Sequence, residues 1–382
     1  MRGIDWPQVL CLSLIHIFIG KVFSDSGYEV CFLDIMQPLI DEMNRRGGYT
    51  VRIVSNAETV EAPVKNVRAV NSSTEQALKE IATCDIMATA VGVNVLPKIA
   101  PVIAEGVKKR MRESGKPLDI ILCENQLEAD VLMRGWINER LNDEERAWAE
   151  QNLGLVEASI GRMVPPLTLE EKAKDSLLIC VEPYCQLPVD KAAFKGEIPD
   201  LVGLVPYTPF GFYIKRKLFL HNMGHAMVAY FAYQQGIEYI WQAVEHKEVY
   251  DLARRAMKGS GEALIREYGE EMRANVEENI DDLLFRFGNK ALKDTVARVG
   301  GDLVRKLRRN DRLVGAALYC IEQGVDPEPI VEGIRAALKF DREGDVSAPE
   351  LQKALKEQGI DYVLEHYMGL KPDEPLYAMI KG

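Results

Sequence analysis

Tyr28-Glu-Val-Cys-Phe-Leu-Asp34 is an apolar run that closes on an acid, the pattern of a buried strand with a carboxylate at its end. Residues 36–46 follow with helical periodicity and stop at Gly47-Gly48, a pair suited to ending a helix. The alternation continues outward. Residues 49–54 read as a strand, and residues 73–82 as a helix with Ser72, Ser73 or Thr74 as its cap. Asp85-Ile-Met-Ala-Thr-Ala90 is a second buried strand, residues 95–113 a long helix, and Asp119-Ile-Ile-Leu-Cys-Glu-Asn125 a further strand before another helical stretch. Strands separated by helix-length crossovers predict an α/β fold, a doubly wound, mostly parallel sheet with helices on both faces.

The second half changes character. Beyond a proline- and glycine-rich stretch at 183–209, helical patterning covers 212–236, 237–257, 261–268, 272–286 and 312–323. The expected division is a Rossmann-type domain over 1–190 and an all-α domain over 205–382, joined within 189–209. At 382 residues the chain has material for two cores. Apolar content of 47% and charged content of 27% are ordinary for a soluble globular protein. A net charge of −11 argues against a general nucleic-acid binder. An acidic protein that takes a phosphorylated substrate needs a local basic pocket. Seven scattered cysteines without a Cys-x-x-Cys spacing predict reduced thiols and a cytoplasmic location. Residues 9–23 are nearly all apolar but too short to span a bilayer comfortably, so a buried strand and helix are expected, with no membrane partner.

Lys217-Leu-Phe-Leu-His-Asn222-Met-Gly-His225 places a lysine, a carboxamide and an imidazole on one predicted helix. At about 100° per residue, Lys217 and His225 lie close to one face, with Asn222 at its edge. These groups suit proton abstraction from an alcohol: the lysine takes the hydroxyl proton and the amide steadies the developing alkoxide. Each residue alone has a blander meaning, a solvated surface lysine or a hydrogen-bonded core histidine. His221 and His225 are four apart, as in a zinc helix, but Asn222 stands where His-Glu-x-x-His needs its glutamate and no third ligand is evident. No metal site is expected.

The spacing Lys-x4-Asn-x2-His, within Arg216-Lys-Leu-Phe and Asn222-Met-Gly-His-Ala226, resembles the signature of the polyol-specific long-chain dehydrogenases, most closely the mannitol-1-phosphate 5-dehydrogenase branch. The resemblance runs from about Phe18 to the C-terminus. It implies a nucleotide-binding domain followed by a helical substrate domain, NAD as cofactor, and metal-independent, reversible hydride transfer between mannitol 1-phosphate and fructose 6-phosphate. Lys217 would be the general base, its pKa lowered by partial burial and nearby cations. Asn125, in Cys123-Glu-Asn125, resembles the family's second carboxamide and would join Asn222 around the reacting oxygen, which His225 orients. A related hexitol or hexuronate oxidoreductase is the neighbouring reading. A small sugar alcohol or sugar phosphate is the expected partner, and the oligomeric state stays open, a monomer included.

On the cofactor side, Asp34 ends the second strand, where a carboxylate accepts from ribose hydroxyls and favours NAD over NADP. Asp-Ile-Met-Ala-Thr-Ala-Val-Gly-Val-Asn-Val-Leu-Pro over 85–97 resembles the family's turn beside the dinucleotide. Val91 and Gly92 would form that turn, Gly92 permitting close backbone approach and Asn94 capping the next helix. Gly20 follows where the glycine-rich turn should stand. On the substrate side, Arg298-Val-Gly-Gly-Asp302-Leu-Val-Arg305-Lys306-Leu resembles the family's Arg-Val-Gly-Arg-Asp-Pro-x-Arg-Lys-Leu, with Arg298, Arg305 and Lys306 as phosphate candidates. Gly301 and Leu303 depart from it. The larger departure is N-terminal. The glycines of Gly-x-Gly-x-x-Gly would fall at Leu10, Leu12 and Ile15, so branched side chains are expected to fill the pyrophosphate site. Residues 1–17 read as foreign to the rest, and Cys11-Leu-Ser-Leu-Ile-His-Ile-Phe18 resembles translated adapter text. The expectation is weak or absent NAD binding by this chain, and with it a third reading, an inactive fold kept as a binding protein.

Overall fold

The computed structural model describes residues 8–12, 18–124, 128–342 and 344–382. The chain divides into two compact units between Gly211 and Phe212. The first holds, in order, β1 (Gln8–Leu12), α1 (Phe18–Asp25), β2 (Glu29–Asp34), α2 (Gln37–Arg46), β3 (Gly48–Val54), β4 (Thr59–Lys65), β5 (Val67–Asn71), α3 (Glu75–Thr83), β6 (Ile86–Thr89), α4 (Leu96–Glu113), β7 (Leu118–Leu122), α5 (Ala129–Asn138), α6 (Asp143–Asn152), β8 (Leu153–Glu157), α7 (Leu169–Lys174), β9 (Ile179–Val181), β10 (Leu187–Asp190) and β11 (Leu204–Tyr207).

Six strands form one parallel sheet in the order β5-β2-β1-β6-β7-β8. The chain winds outward from β1 in both directions, so the topological switch point lies between β1 and β6, where doubly wound folds seat their ligands at the carboxyl ends of the strands. Alternation along β1 splits its side chains between two cores. Val9 and Cys11 join the core that α1 and the small sheet β4-β3-β9 cover; Leu10 joins the one under α3, α4 and α5. This corrects the expectation for Leu10. It sits inside the strand, opposite Cys31 and Met87, and is fully buried, so its side chain fills core and not a phosphate site. The side chain of Leu12, and Ile15, lie outside the described residues.

Local signals are used unevenly. Gly47 ends α2 at φ 61°, the left-handed geometry glycine adopts without strain. Thr74 occupies the N-cap of α3, but its hydroxyl donates to the Asn71 carbonyl at 2.7 Å and makes no capping bond. Asn94 is not the cap of α4; Val95 is, with no side-chain bond. The first-turn amides leave a cap nothing to do. The Gly92 carbonyl accepts from Val95 and Leu96, Pro97 has no N–H, and Lys98 donates to Val95.

The second unit is helical. One continuous rod combines α8 (Gly211–Lys215), a π-helical segment (Arg216–Asn222) and α9 (Met223–Gln234). Then come α10 (Ile240–Glu245), α11 (Lys247–Tyr268), α12 (Arg273–Phe287), α13 (Val296–Gly300), α14 (Leu303–Lys306) and helices over Val314–Glu322, Glu328–Ala337, Ala348–His366 and Pro375–Lys381. α9 is buried along most of its length, with α10, α11, α13 and Glu328–Ala337 packed around it. The expected break between residues 257 and 261 is absent, since α11 runs through it. Gly261 serves packing instead: a Cβ there would lie 2.8 Å from Val276 of α12. Among the described residues no helix is long and apolar enough to cross a membrane.

Candidate active site

The π segment reshapes the Lys217 motif. Hydrogen bonds to the fifth residue turn the chain by roughly 85° per residue in place of 100°. From Lys217 to Asn222 the angular offset falls from about 140° to about 65°, and from Lys217 to His221 from about 40° to about 20°. Lys217 and His221 therefore stand side by side, Nζ 3.1 Å from Nδ1. The segment's irregular backbone is supported from α11, where the buried Ser260 hydroxyl donates to the Phe219 carbonyl at 2.6 Å. Lys217 is half-buried, as is Asn222, whose carboxamide makes no hydrogen bond with the described residues.

Both imidazoles are held neutral. Burial, then the charges of Lys217 and Arg286, pushes His221 well below the usual histidine range. Burial, then Arg298, Lys217, Lys306 and Arg312, does the same to His225. His225 stacks on Phe287, ring centroids 4.6 Å apart. Its Nε2 lies 3.6 Å from Asp294 Oδ2, too far for a hydrogen bond, and is buried without a partner among the described residues. The charges acting on His225 show that the fold gathers the 217–225 motif and the 298–312 basic cluster into one neighbourhood.

That cluster is not an open row of cations. Lys306 is buried and donates to the carbonyls of Val299, at 2.8 Å, and Gly301, closing the end of α13. Burial, with Arg312 and Arg305 nearby, lowers its ammonium to about 7. This corrects its reading as an outward phosphate ligand: a side chain on the short α14 is turned back into the preceding helix end. Arg298 bonds to Asp294, and Arg305 to Asp302 and, at 3.2 Å, Asp311. Both guanidinium side chains stay partly exposed. Arg312, outside the expected set, is largely buried against Asp311.

In the first unit, Asp34 closes β2 beside the switch point, and its Oδ1 accepts from the Met36 amide at 2.9 Å. Gly92 has φ +85°, and a Cβ built on it would meet nothing. Its glycine requirement is thus conformational, and the space beside the turn is open. Gly20 has a different reason. In α1, a Cβ would lie 2.5 Å from Phe32 Cζ and 2.8 Å from Tyr49 Oη, so this glycine lets the helix lie close on β2 and β3. Glu124, which sequence reasoning passed over, clamps the turn after β6: its two carboxylate oxygens accept from the Val91 and Gly92 amides at 2.8 and 2.9 Å. Burial raises its pKa. Glu157, at the end of β8, accepts from the Ala129 amide that opens α5 and is pushed up to about 7 by burial and then Asp130. The only hint in the sequence was an acid at the end of an apolar strand. Asn125 lies outside the described residues. Among the described residues no three His, Cys, Asp or Glu side chains gather as metal ligands.

A doubly wound sheet followed by a helical unit bearing a lysine, an amide and neutral imidazoles has the make-up of a dehydrogenase that acts on alcohols. Residues 14–203 match the mannitol dehydrogenase Rossmann domain and residues 211–374 the mannitol dehydrogenase C-terminal domain. The chain belongs to the mannitol dehydrogenase family. It is similar to mannitol-1-phosphate 5-dehydrogenase of Bacillus licheniformis, 37% identical over 368 residues and 95% of each chain. The enzyme of the same name from Brevibacillus brevis is 35% identical over 365 residues, 95% of this chain and 93% of that one. The fold superposes on substrate-free D-sorbitol dehydrogenase with a TM-score of 0.80 at 15% identity, covering 98% of this chain and 92% of the other. It superposes on Pseudomonas fluorescens mannitol 2-dehydrogenase, solved with NAD and D-mannitol, with a TM-score of 0.71 at 16% identity, covering 99% and 91%.

Proposed function

We propose that this chain is a metal-independent, NAD-dependent polyol phosphate dehydrogenase of the cytoplasm that interconverts mannitol 1-phosphate and fructose 6-phosphate. The observation that carries the chemistry is Lys217: a half-buried amine, oriented by the π segment, beside two neutral imidazoles and a neighbourhood rich in guanidinium charge. Lys217 takes the proton of the substrate hydroxyl and becomes the ammonium. Bound NAD supplies the hydride acceptor. Asn222, whose carboxamide makes no hydrogen bond with the described residues, donates to the oxygen as charge builds on it, and the family resemblance gives Asn125, outside the described residues, as a second donor. His225 offers Nε2, a buried nitrogen that a bound hydroxyl or water would satisfy. Arg298 and Arg305 are the remaining phosphate ligands, since each keeps exposed guanidinium surface.

The residues present fit a dinucleotide in part. Asp34 would accept from the ribose hydroxyls at the end of β2, and Val91, Gly92 and Asn94 would border the nicotinamide half, where the turn leaves open space. The names of the relatives at 35–37% identity support the phosphorylated substrate. The test is turnover of mannitol 1-phosphate against mannitol, each with NAD. Equal or greater turnover of unphosphorylated mannitol sinks the phosphate assignment and favours a hexitol or hexuronate enzyme.

The missing glycine turn, Leu10 to Ile15 in place of three glycines, favours one further reading, a binding protein without turnover. Fluorescence titration with NADH separates the two. Micromolar binding removes the inactive reading, and no binding at millimolar NADH establishes it for this chain.

A further inference from the structure

The π segment sets a second group on Lys217 that the reaction above leaves unused. We propose that His221 is a positioning residue for Lys217: its neutral imidazole accepts a hydrogen bond from Nζ through Nδ1 and so aims the amine lone pair at the substrate hydroxyl. This rests on the reading of Lys217 as the base.

Geometry carries the argument. Residues four apart in an α-helix are splayed by about 40°, but the π turn brings 217 and 221 nearly into register, and the nitrogens meet at 3.1 Å. The ring is fixed independently of the lysine. It is buried in the rod, with Phe287 of α12 edge-on to it at 6.0 Å. The charged and titratable groups acting on it are Lys217 and Arg216 on its own segment, His225 on α9 and Arg286 on α12. Burial and the Arg286 and Arg216 guanidinium groups oppose a second proton on the ring throughout, and Lys217 adds to them once it has become the ammonium. The imidazole therefore stays neutral and does not take the substrate proton away from the lysine. Partnering an amine or ammonium donor, it presents Nδ1 as acceptor and carries its proton on Nε2.

The consequence follows from the valence of the amine. A neutral Lys217 has two N–H bonds and one lone pair. With one N–H committed to Nδ1, rotation about Cε–Nζ is restricted, and the lone pair is confined to the two remaining tetrahedral positions, one of which the substrate hydroxyl selects by donating to it. Lysine is otherwise a flexible base on a four-carbon stem, and misplacement of a reacting group by about 1 Å can cost on the order of a hundredfold in rate.

Two measurements on the full chain test this. In 15N-histidine spectra, the His221 resonance, assigned by its loss in His221→Phe, is expected to show an unprotonated Nδ1 that shifts in Lys217→Met. A proton on Nδ1, or no shift in that variant, overturns the proposal whether or not the chain turns over substrate. In NADH-dependent reduction of fructose 6-phosphate, His221→Phe is expected to lower kcat at least about tenfold with KM for NADH within about twofold. His221→Asn, which offers an amide oxygen near the position of Nδ1, regains most of the loss. Wild-type kcat in His221→Phe, or equal losses in both variants at unchanged thermal melts, also overturns it. Full activity in Lys217→Met would instead remove the underlying reading of the base, a separate outcome.

Discussion

Single residues carry the chemistry, and the strongest expectation falls on Lys217. Replacing it with Met removes the proposed base while keeping a similar stem, so kcat should fall by roughly 10²–10⁴ with an unchanged melt. Loss of only a few-fold would mean the proton leaves by another route. Asn222→Ala removes the proposed oxyanion donor, and kcat should fall by roughly 10²–10³ with a smaller effect on KM, read by steady-state kinetics in both directions. An effect on KM alone would make Asn222 a binding residue. The spacing of Lys217 and Asn222 is covalent and can be read before any folding. The surroundings of Lys306 cannot. It looked like one more cation in a basic run, but it donates to the carbonyls of Val299 and Gly301. Whether a lysine on a short helix faces solvent or the preceding helix end depends on packing that the run of letters does not contain. Glu124 was hidden for the same reason, since its partners at Val91 and Gly92 are more than thirty positions away.

Elements explain why those residues sit where they do, and two of them can be tested directly. In α1, Gly20→Ala would push a methyl against the buried rings of Phe32 and Tyr49. Overpacking costs about 1–3 kcal/mol and outweighs the ~1 kcal/mol that Ala adds in helix propensity. Urea unfolding should therefore show a lower midpoint, and an unchanged or raised midpoint would contradict the close helix–sheet contact. At the junction of β8 and α5, Glu157 has its pKa raised to about 7 from an ordinary 4.5. A carboxyl raised in the folded state favours folding while protonated. That contribution is complete below pH 4.5 and is lost as pH rises through 7. Glu157→Gln keeps an acceptor for the Ala129 amide and removes the titration, so the variant should gain on the wild type between pH 5 and pH 8. A stability difference that does not move with pH would refute the burial argument. Strands and helices were largely visible as periods of two and of 3.6. The π segment was not, because it changes the period over only Arg216–Asn222 and is held by Ser260 of α11.

At the scale of the whole molecule the question is whether the sheet unit still takes its dinucleotide. A ligand that binds only the folded state at 100 times its Kd adds about 2.7 kcal/mol. A thermal melt with saturating NADH should thus show a raised transition, and a melt unmoved at millimolar NADH would favour the binding-protein reading. The class of the chain follows from its letters alone: alternating strands and crossovers, then helices, then the Lys217–Asn222–His225 spacing. Each is a local pattern written along one dimension. Folding in three dimensions alone puts Leu10 in a core, spends Gly20 on packing, brings His221 to Lys217 and folds the basic run in around His225. Those outcomes turn on which distant segments compete for the same space and the same hydrogen bonds, and that competition exists only once the chain is closed on itself.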